Sequence, residues 1–117
     1  MPLSIPPQNV PYYAVIFTSL RTHVYQGYTQ MNEELSKLLA NQIGYLGMDS
    51  VRGQDGFGIT VSYWDSLESI DAWRQDQTHA RAKAMGRQLW YERYAIRICK
   101  VETERFFPSE AESTAQK

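Results

Sequence analysis

The chain has 117 residues, a length that accommodates one domain with a single two-layer core. Twelve basic and thirteen acidic residues leave a net charge of −1, which gives no basic footprint for nucleic acid or an anionic membrane. One cysteine, Cys99, excludes an internal disulfide, and no apolar run approaches the ~18 residues of a membrane span.

The opening MPLSIPPQNVP carries four of the five prolines and lacks a basic start followed by an apolar run, so an extended arm over 1–11 is expected rather than a secretory signal. With the lone cysteine, this points to a cytoplasmic protein. The end, 108–117 (PSEAESTAQK), has no large apolar group and is expected to be a flexible tail. The folded domain is therefore 12–107.

YYAVIFTS (12–19) is rich in β-branched and aromatic residues and predicts a strand. Tyr28, Met31, Leu35, Leu38 and Leu39 then fall on one face of a helix over about 25–41, with Glu33 and Lys37 in the favourable i,i+4 order and Gly44 as its stop. YLGMDSVRG and FGITVSYW flank GQDG (53–56), a hairpin turn. The glycines there resemble a phosphate loop only superficially, because they join two strands and precede no helix.

Asp65 with Glu68 has the form of a capping box opening a helix that carries Leu67, Ile70 and Trp73. Thr78 offers a second N-cap. A break near Gln77–Thr78 brings both Trp73 and Trp90 inward, whereas an unbroken helix would turn them apart. In the second segment His79, Ala82, Gly86 and Leu89 share a stripe, with Trp90 at its edge. YAIRICKVE (94–102) predicts the last strand.

The order β-α-β-β-α-β is ferredoxin-like: an α+β fold with an antiparallel sheet and its helices on one face. The first and last strands are apolar on both alternating faces, with Tyr13, Val15 and Phe17 backed by Tyr12, Ala14 and Ile16. Two helices cover only one face, and an antiparallel sheet with a solvated face should alternate with polar residues. A homodimer joined through the sheet faces is the expected solution.

The chemistry-bearing residues are few. His23, His79 and Cys99 stand too far apart for cooperative metal spacing, and no serine lies in a strand–turn–helix elbow, so neither a metal site nor a nucleophilic triad is expected. His79 opens a helix on its inward stripe beside the small residues Ala82 and Gly86, where space for a ligand is available. The helix dipole favours its neutral form, able to accept a proton. The bland alternative is a histidine that fills a first turn. Trp73, Trp90, Trp64 and the tyrosines Tyr63, Tyr91 and Tyr94 could line an aromatic pocket, with Trp73, Trp90, Trp64 and Tyr94 the candidate walls, although aromatics at such spacing are more often core. Arg74, Arg81, Arg87 and Arg93 suit a solvated rim, and Arg87 is the candidate to meet an acidic ligand group.

YYAVIFTS, GYLGMDSVR, GITVSYWDSLESIDAWR and HARAKAMGRQLWYERY together resemble the antibiotic biosynthesis monooxygenase (ABM) domain superfamily over about 12–107. That resemblance implies a dimeric α+β barrel with a cavity between sheet and helices in each subunit. It also implies a small oxygenase acting on an aromatic or polycyclic substrate without a tightly bound metal, with His79 as base or orienting group. In relatives of this kind a deprotonated phenol or quinol itself reduces dioxygen, and the protein supplies a base, orientation and a dry pocket. Haem-degrading relatives imply an alternative in which haem is the cofactor. Trp73 matches their porphyrin-pressing tryptophan, but their ligand position falls on Lys83, and Thr18 and Ser19 stand where they have an asparagine. A non-catalytic dimeric ligand-binding or stress-response module is the third reading.

Overall fold

The computed structural model describes residues 5–108, with the side chains at 77–79, 87 and 88 outside the description. Its elements are β1 (Tyr12–Arg21), α1 (Tyr28–Ala40), β2 (Tyr45–Arg52), β3 (Phe57–Trp64), α2 (Leu67–Arg74), α3 (Gln77–Met85), a π-helical turn (Gly86–Trp90) and β4 (Tyr91–Val101). The sheet is antiparallel in the order β2-β3-β1-β4, so the two strands joined through helices flank the hairpin partner in the ferredoxin-like manner. No helix among the described residues is long and apolar enough to cross a membrane.

One sheet face meets the helices. On it Tyr13 and Val15 of β1 pack with Leu35 and Leu39 of α1, Ile70 and Trp73 of α2, and Trp64 of β3. Trp64 is only 1% exposed, its Nε1 donating to Ser62 Oγ at 2.9 Å. Truncating a buried side chain of this size costs on the order of 3–5 kcal/mol. Trp64 and Trp73 are therefore core.

The hairpin occurs where the sequence places it. The α2–α3 break falls at Gln75–Asp76, just before the expected Gln77–Thr78, so that Thr78 lies within α3 instead of capping it. Several other boundaries move for identifiable reasons. The α2 cap is Ser66, whose side chain accepts from Ser69 N, while Asp65 Oδ1 accepts from Ser69 Oγ. Gly44 sits at φ +84 against this cap, where a Cβ would collide with Ser69 and Asp65. It thus docks the start of β2 on α2 in addition to following α1. Helix α1 starts later than expected, after Gly27 at φ +79. Leu38 and Leu67 are exposed, outside the core stripes of their helices.

The largest difference lies at the end of α3. Ala82 and Gly86 are buried as the stripe predicts, but Leu89 is exposed and Trp90 is 3% exposed. The π-helical turn widens the last turn and shifts its phase, exchanging the inward position from Leu89 to Trp90. Strand β4 consequently begins at Tyr91 rather than at residue 94, with a bulge opposite Leu20/Arg21.

On the outer face, Tyr12 and Ala14 are buried, and Tyr12 Oη donates to Glu104 Oε1 at 2.8 Å. Gln8 N of the N-terminal arm donates to the same carboxylate. Towards the hairpin this face opens, with Val51 69% and Phe57 48% exposed.

Candidate functional site

Strand alternation decides which side chains share the helix side of the sheet. In β1 they are Tyr13, Val15, Phe17, Ser19 and Arg21. The register adds Gly58, Thr60, Ser62 and Trp64 from β3, and Tyr94, Ile96 and Ile98 from β4. At the Tyr13 end lies the core around Trp64. At the Arg21 end lies a cluster of different chemistry.

Arg21 is 8% exposed, yet its Nε donates to Trp90 O at 3.1 Å and its Nη2 to Val24 O at 2.8 Å. Its guanidinium carbon lies 3.3 Å from the ring centroid of Tyr28 and 4.9 Å from that of Tyr25. Stripping water from a guanidinium costs several kcal/mol, and the cation–π stack returns roughly 2 kcal/mol when desolvated. The charge-assisted bonds to carbonyls return about 1.5–3 kcal/mol each.

A second guanidinium approaches from β2. Arg52 Nη1 donates to Gly56 O at 2.6 Å and Nη2 to Ser19 Oγ at 2.7 Å. It lies flat over Gly58, where a Cβ would fall 2.6 Å from its Cζ, and 5.8 Å from the Tyr91 ring centroid. Glycine at 58 is what lets the arginine reach this position. Among the described residues the ion pairs are Arg74–Asp71 and Arg81–Glu34, both at the surface. Arg21 and Arg52 have no carboxylate partner there.

Between the two cations stand the phenols of Tyr28 and Tyr91, ring centroids 6.2 Å apart. Burial opposes ionisation of both. Hydrogen bonds donated by Tyr91 and Asn32, with the fields of Arg52 and Arg21, outweigh it at Tyr28 and hold that phenol below its ordinary value. Burial, reinforced by the bond to Tyr28, pushes Tyr91 well above its own. Tyr28 is thus the more readily ionised phenol of the pair, because the shared hydrogen bond and both guanidiniums favour its charged form while burial opposes it.

The aromatic walls extend from this cluster. Phe17 meets Tyr91 at 5.4 Å and Tyr94 at 5.5 Å, and Tyr91 meets Tyr94 at 6.1 Å. Trp90 packs edge-on against Tyr28 at 5.7 Å and donates Nε1 to Gln26 O. Beyond Tyr94, Ile96 and Ile98 continue along the same face and stay 49% and 43% exposed, an apolar shelf leading to the arginines.

Of the residues singled out from sequence, Trp90 and Tyr94 come together here. Trp64 and Trp73 do not: Trp64 pairs across from Tyr13 and Tyr94 across from Ser19, roughly 20 Å apart along β1. The backbone of His79 lies in the first turn of α3, while its side chain and that of Arg87 lie outside the described residues. Arg74 and Arg93 are exposed and Arg81 pairs with Glu34, as a solvated rim requires. Among the described residues no group of acidic, histidine and cysteine side chains is placed to hold a metal ion. Tyr91, a candidate pocket tyrosine, joins Trp90 and Tyr94, whereas Arg21, Tyr28 and Arg52 are not among the candidates read from sequence. The signal was present in the alternation of β1, which puts Ser19 and Arg21 on the face of Tyr13, Val15 and Phe17.

Comparison with known proteins sharpens this picture. Residues 14–103 match the family described as Monooxygenase af470-like. The chain belongs to that family. A solved antibiotic biosynthesis monooxygenase shares the fold, with a TM-score of 0.62 at 11% identity over 80% of this chain and 99% of that one. A relative, the uncharacterized protein YqjZ of Bacillus subtilis (strain 168), is 50% identical over 97 residues, covering 83% of this chain and 85% of that protein. Among solved structures, Rv0793 from Mycobacterium tuberculosis has a TM-score of 0.70 at 13% identity, covering 81% of this chain and 99% of that one. SnoaB, a cofactor-independent oxygenase from Streptomyces nogalater, has a TM-score of 0.65 at 9% identity, with 86% and 100% covered. At such identities these structures share the fold.

The tyrosine pair makes a spectroscopic prediction. A phenol whose folded pKa lies below its unfolded value adds stability as pH rises, and one whose folded pKa is raised loses its contribution as pH rises past the unfolded value. Tyr28 and Tyr91 therefore oppose each other in stability, and ionisation itself is the clearer readout. An ultraviolet titration should show one tyrosinate forming below the ordinary value of 10.0. That step should vanish in Tyr28→Phe and move to higher pH in Tyr91→Phe; an unchanged first step in Tyr28→Phe contradicts the assignment.

Proposed function

We propose that this protein is an oxygenase that takes an aromatic or polycyclic phenol between sheet and helices, without a tightly bound metal. The observation that carries the reading is the aromatic shelf of Phe17, Tyr91 and Tyr94 with the half-open Ile96 and Ile98, ending at two guanidiniums. Membership of a monooxygenase family and the fold shared with a cofactor-independent oxygenase support it. The overall reaction converts a phenol and dioxygen into a quinone and water: one oxygen atom enters the ring and the other leaves as water. The ionised substrate supplies the electrons, so the protein's part is to remove the phenolic proton, hold the ring and exclude water.

In this reading Trp90 and Tyr94 are walls, Trp64 and Trp73 are core at the other end of the same face, His79 is the base or orienting group, and Arg87 is the rim residue that meets an acidic ligand group. Dioxygen uptake with a panel of polycyclic phenols in chelator-treated buffer tests the reaction. Uptake with quinone formation is expected, reduced by about 10²-fold or more in His79→Ala if His79 is the general base. An unchanged rate in that variant removes His79 from the role. Uptake that appears only after haem or metal is added contradicts the cofactor-free reading.

The same proposal includes a homodimer. Val51, Phe57 and Ile59 leave the outer face open and apolar, and a second copy would cover it. Sedimentation equilibrium at micromolar concentration should give twice the chain mass, whereas a monomer at that concentration overturns it.

A further inference from the structure

The two arginines at the closed end of the shelf have a consequence for the kind of molecule that fits there. A cation brought out of water is normally compensated by an anion, and Arg21 and Arg52 lack a carboxylate among the described residues. Their hydrogen bonds go to carbonyls and a hydroxyl: Arg21 through Nε and Nη2, Arg52 through Nη1 and Nη2. Arg21 Nη1 and Arg52 Nε make no hydrogen bond among the described residues. Every buried side-chain nitrogen and oxygen described has a partner, so these two groups keep contact with solvent. The aromatic walls continue outward from this point through Phe17 and Tyr94.

We infer that the Arg21–Arg52 end of the shelf, with the hydroxyls of Tyr28 and Tyr91, is an oxyanion site that binds an aromatic ligand in its ionised form. The ligand's ring lies along Phe17, Tyr94 and the Ile96–Ile98 shelf, and its charged oxygen faces the guanidiniums. A ligand that is neutral in solution releases one proton on binding, and no electrons move. Among the described side chains, the charged and titratable groups facing the site are Arg21 from β1, Arg52 from β2, Tyr25 from the β1–α1 loop, Tyr28 from α1, and Tyr91 and Tyr94 from β4, with Lys100 further along the same face of β4. Both guanidiniums act electrostatically on both Tyr28 and Tyr91, so a charge placed beside those hydroxyls feels both cations. This assignment rests on the helix-side face being the substrate site, and it adds which residues receive the phenol's oxygen.

The test uses 4-nitro-1-naphthol, whose ionised form is coloured, titrated with the full-length protein across pH. Binding should lower the dye's apparent pKa by about 1, a ~10-fold preference for the ionised form. Arg21 is built into the fold, so the diagnostic variant is the half-buried Arg52. Arg52→Gln should abolish the lowering, and Arg52→Lys should restore part of it. Absence of binding, binding with an unchanged or raised pKa, or a lowering that survives Arg52→Gln each overturn the site. Phenol-dependent dioxygen uptake unaffected by Arg52→Gln would remove this site and leave the oxygenase reading intact. Arg52-dependent binding of the coloured form without uptake of dioxygen for any phenol supports the site and removes that reading.

Discussion

A single guanidinium ties three parts of the chain together. Arg21 ends the strand that runs through the middle of the sheet, and it binds the carbonyl of Trp90, where the last helical segment gives way to β4. It also binds the carbonyl of Val24 and stacks on Tyr28 at the start of α1. The backbone repeats the theme, since Thr22 N also donates to Trp90 O and Arg21 N to Gly56 O in the hairpin. Because charge-assisted bonds strengthen as water is withdrawn, this residue fixes the entry of α1 and the exit of the π-helical turn at the same point. The aromatic cluster around it is positioned by that junction.

The division of the helix-side face follows from the same constraint. At the Tyr13 end, Trp64 and Trp73 fill the layer between sheet and helices with apolar bulk. At the Arg21 end a charge must be accommodated, so the packing changes to stacked rings and carbonyl acceptors. Small residues complete it: Gly58 gives Arg52 a floor to lie on, and Gly86 lets the Tyr91 ring approach to where a Cβ would meet it at 3.0 Å. One end of the face is apolar core, and the other is a cluster of rings and guanidiniums.

Much of the fold was legible in the residues. The strand–helix order, the GQDG hairpin, the α2–α3 break and the burial of Trp73 and Trp90 all follow from periodicity and turn chemistry. Leu89 was misplaced because a π-helical turn does not advance at 100° per residue, and nothing in GRQLW marks one. The candidate site was legible in part. Helical phase and composition bring out aromatic residues and a lone histidine, so Trp90 and Tyr94 stood out. Arg21 and Arg52 did not, because surface arginines are common and only sheet register shows these two converging from different strands. Tyr28 looked like an ordinary core position of an amphipathic helix, and its chemistry comes from Tyr91, sixty-three positions further along the chain.

At the end of β1 the proposed oxyanion site pairs two guanidiniums that have no carboxylate partner among the described residues. The most direct measurement follows the arginine Nε–H resonances by nitrogen-15 NMR while the coloured naphtholate is added. The account predicts that Arg21 Nε–H, bonded to Trp90 O, exchanges slowly with water before addition, and that the Arg21 and Arg52 signals shift together with saturation. Rapid exchange at Arg21, or ligand-induced shifts confined to Arg74, Arg81 and Arg93 at the surface, would contradict it.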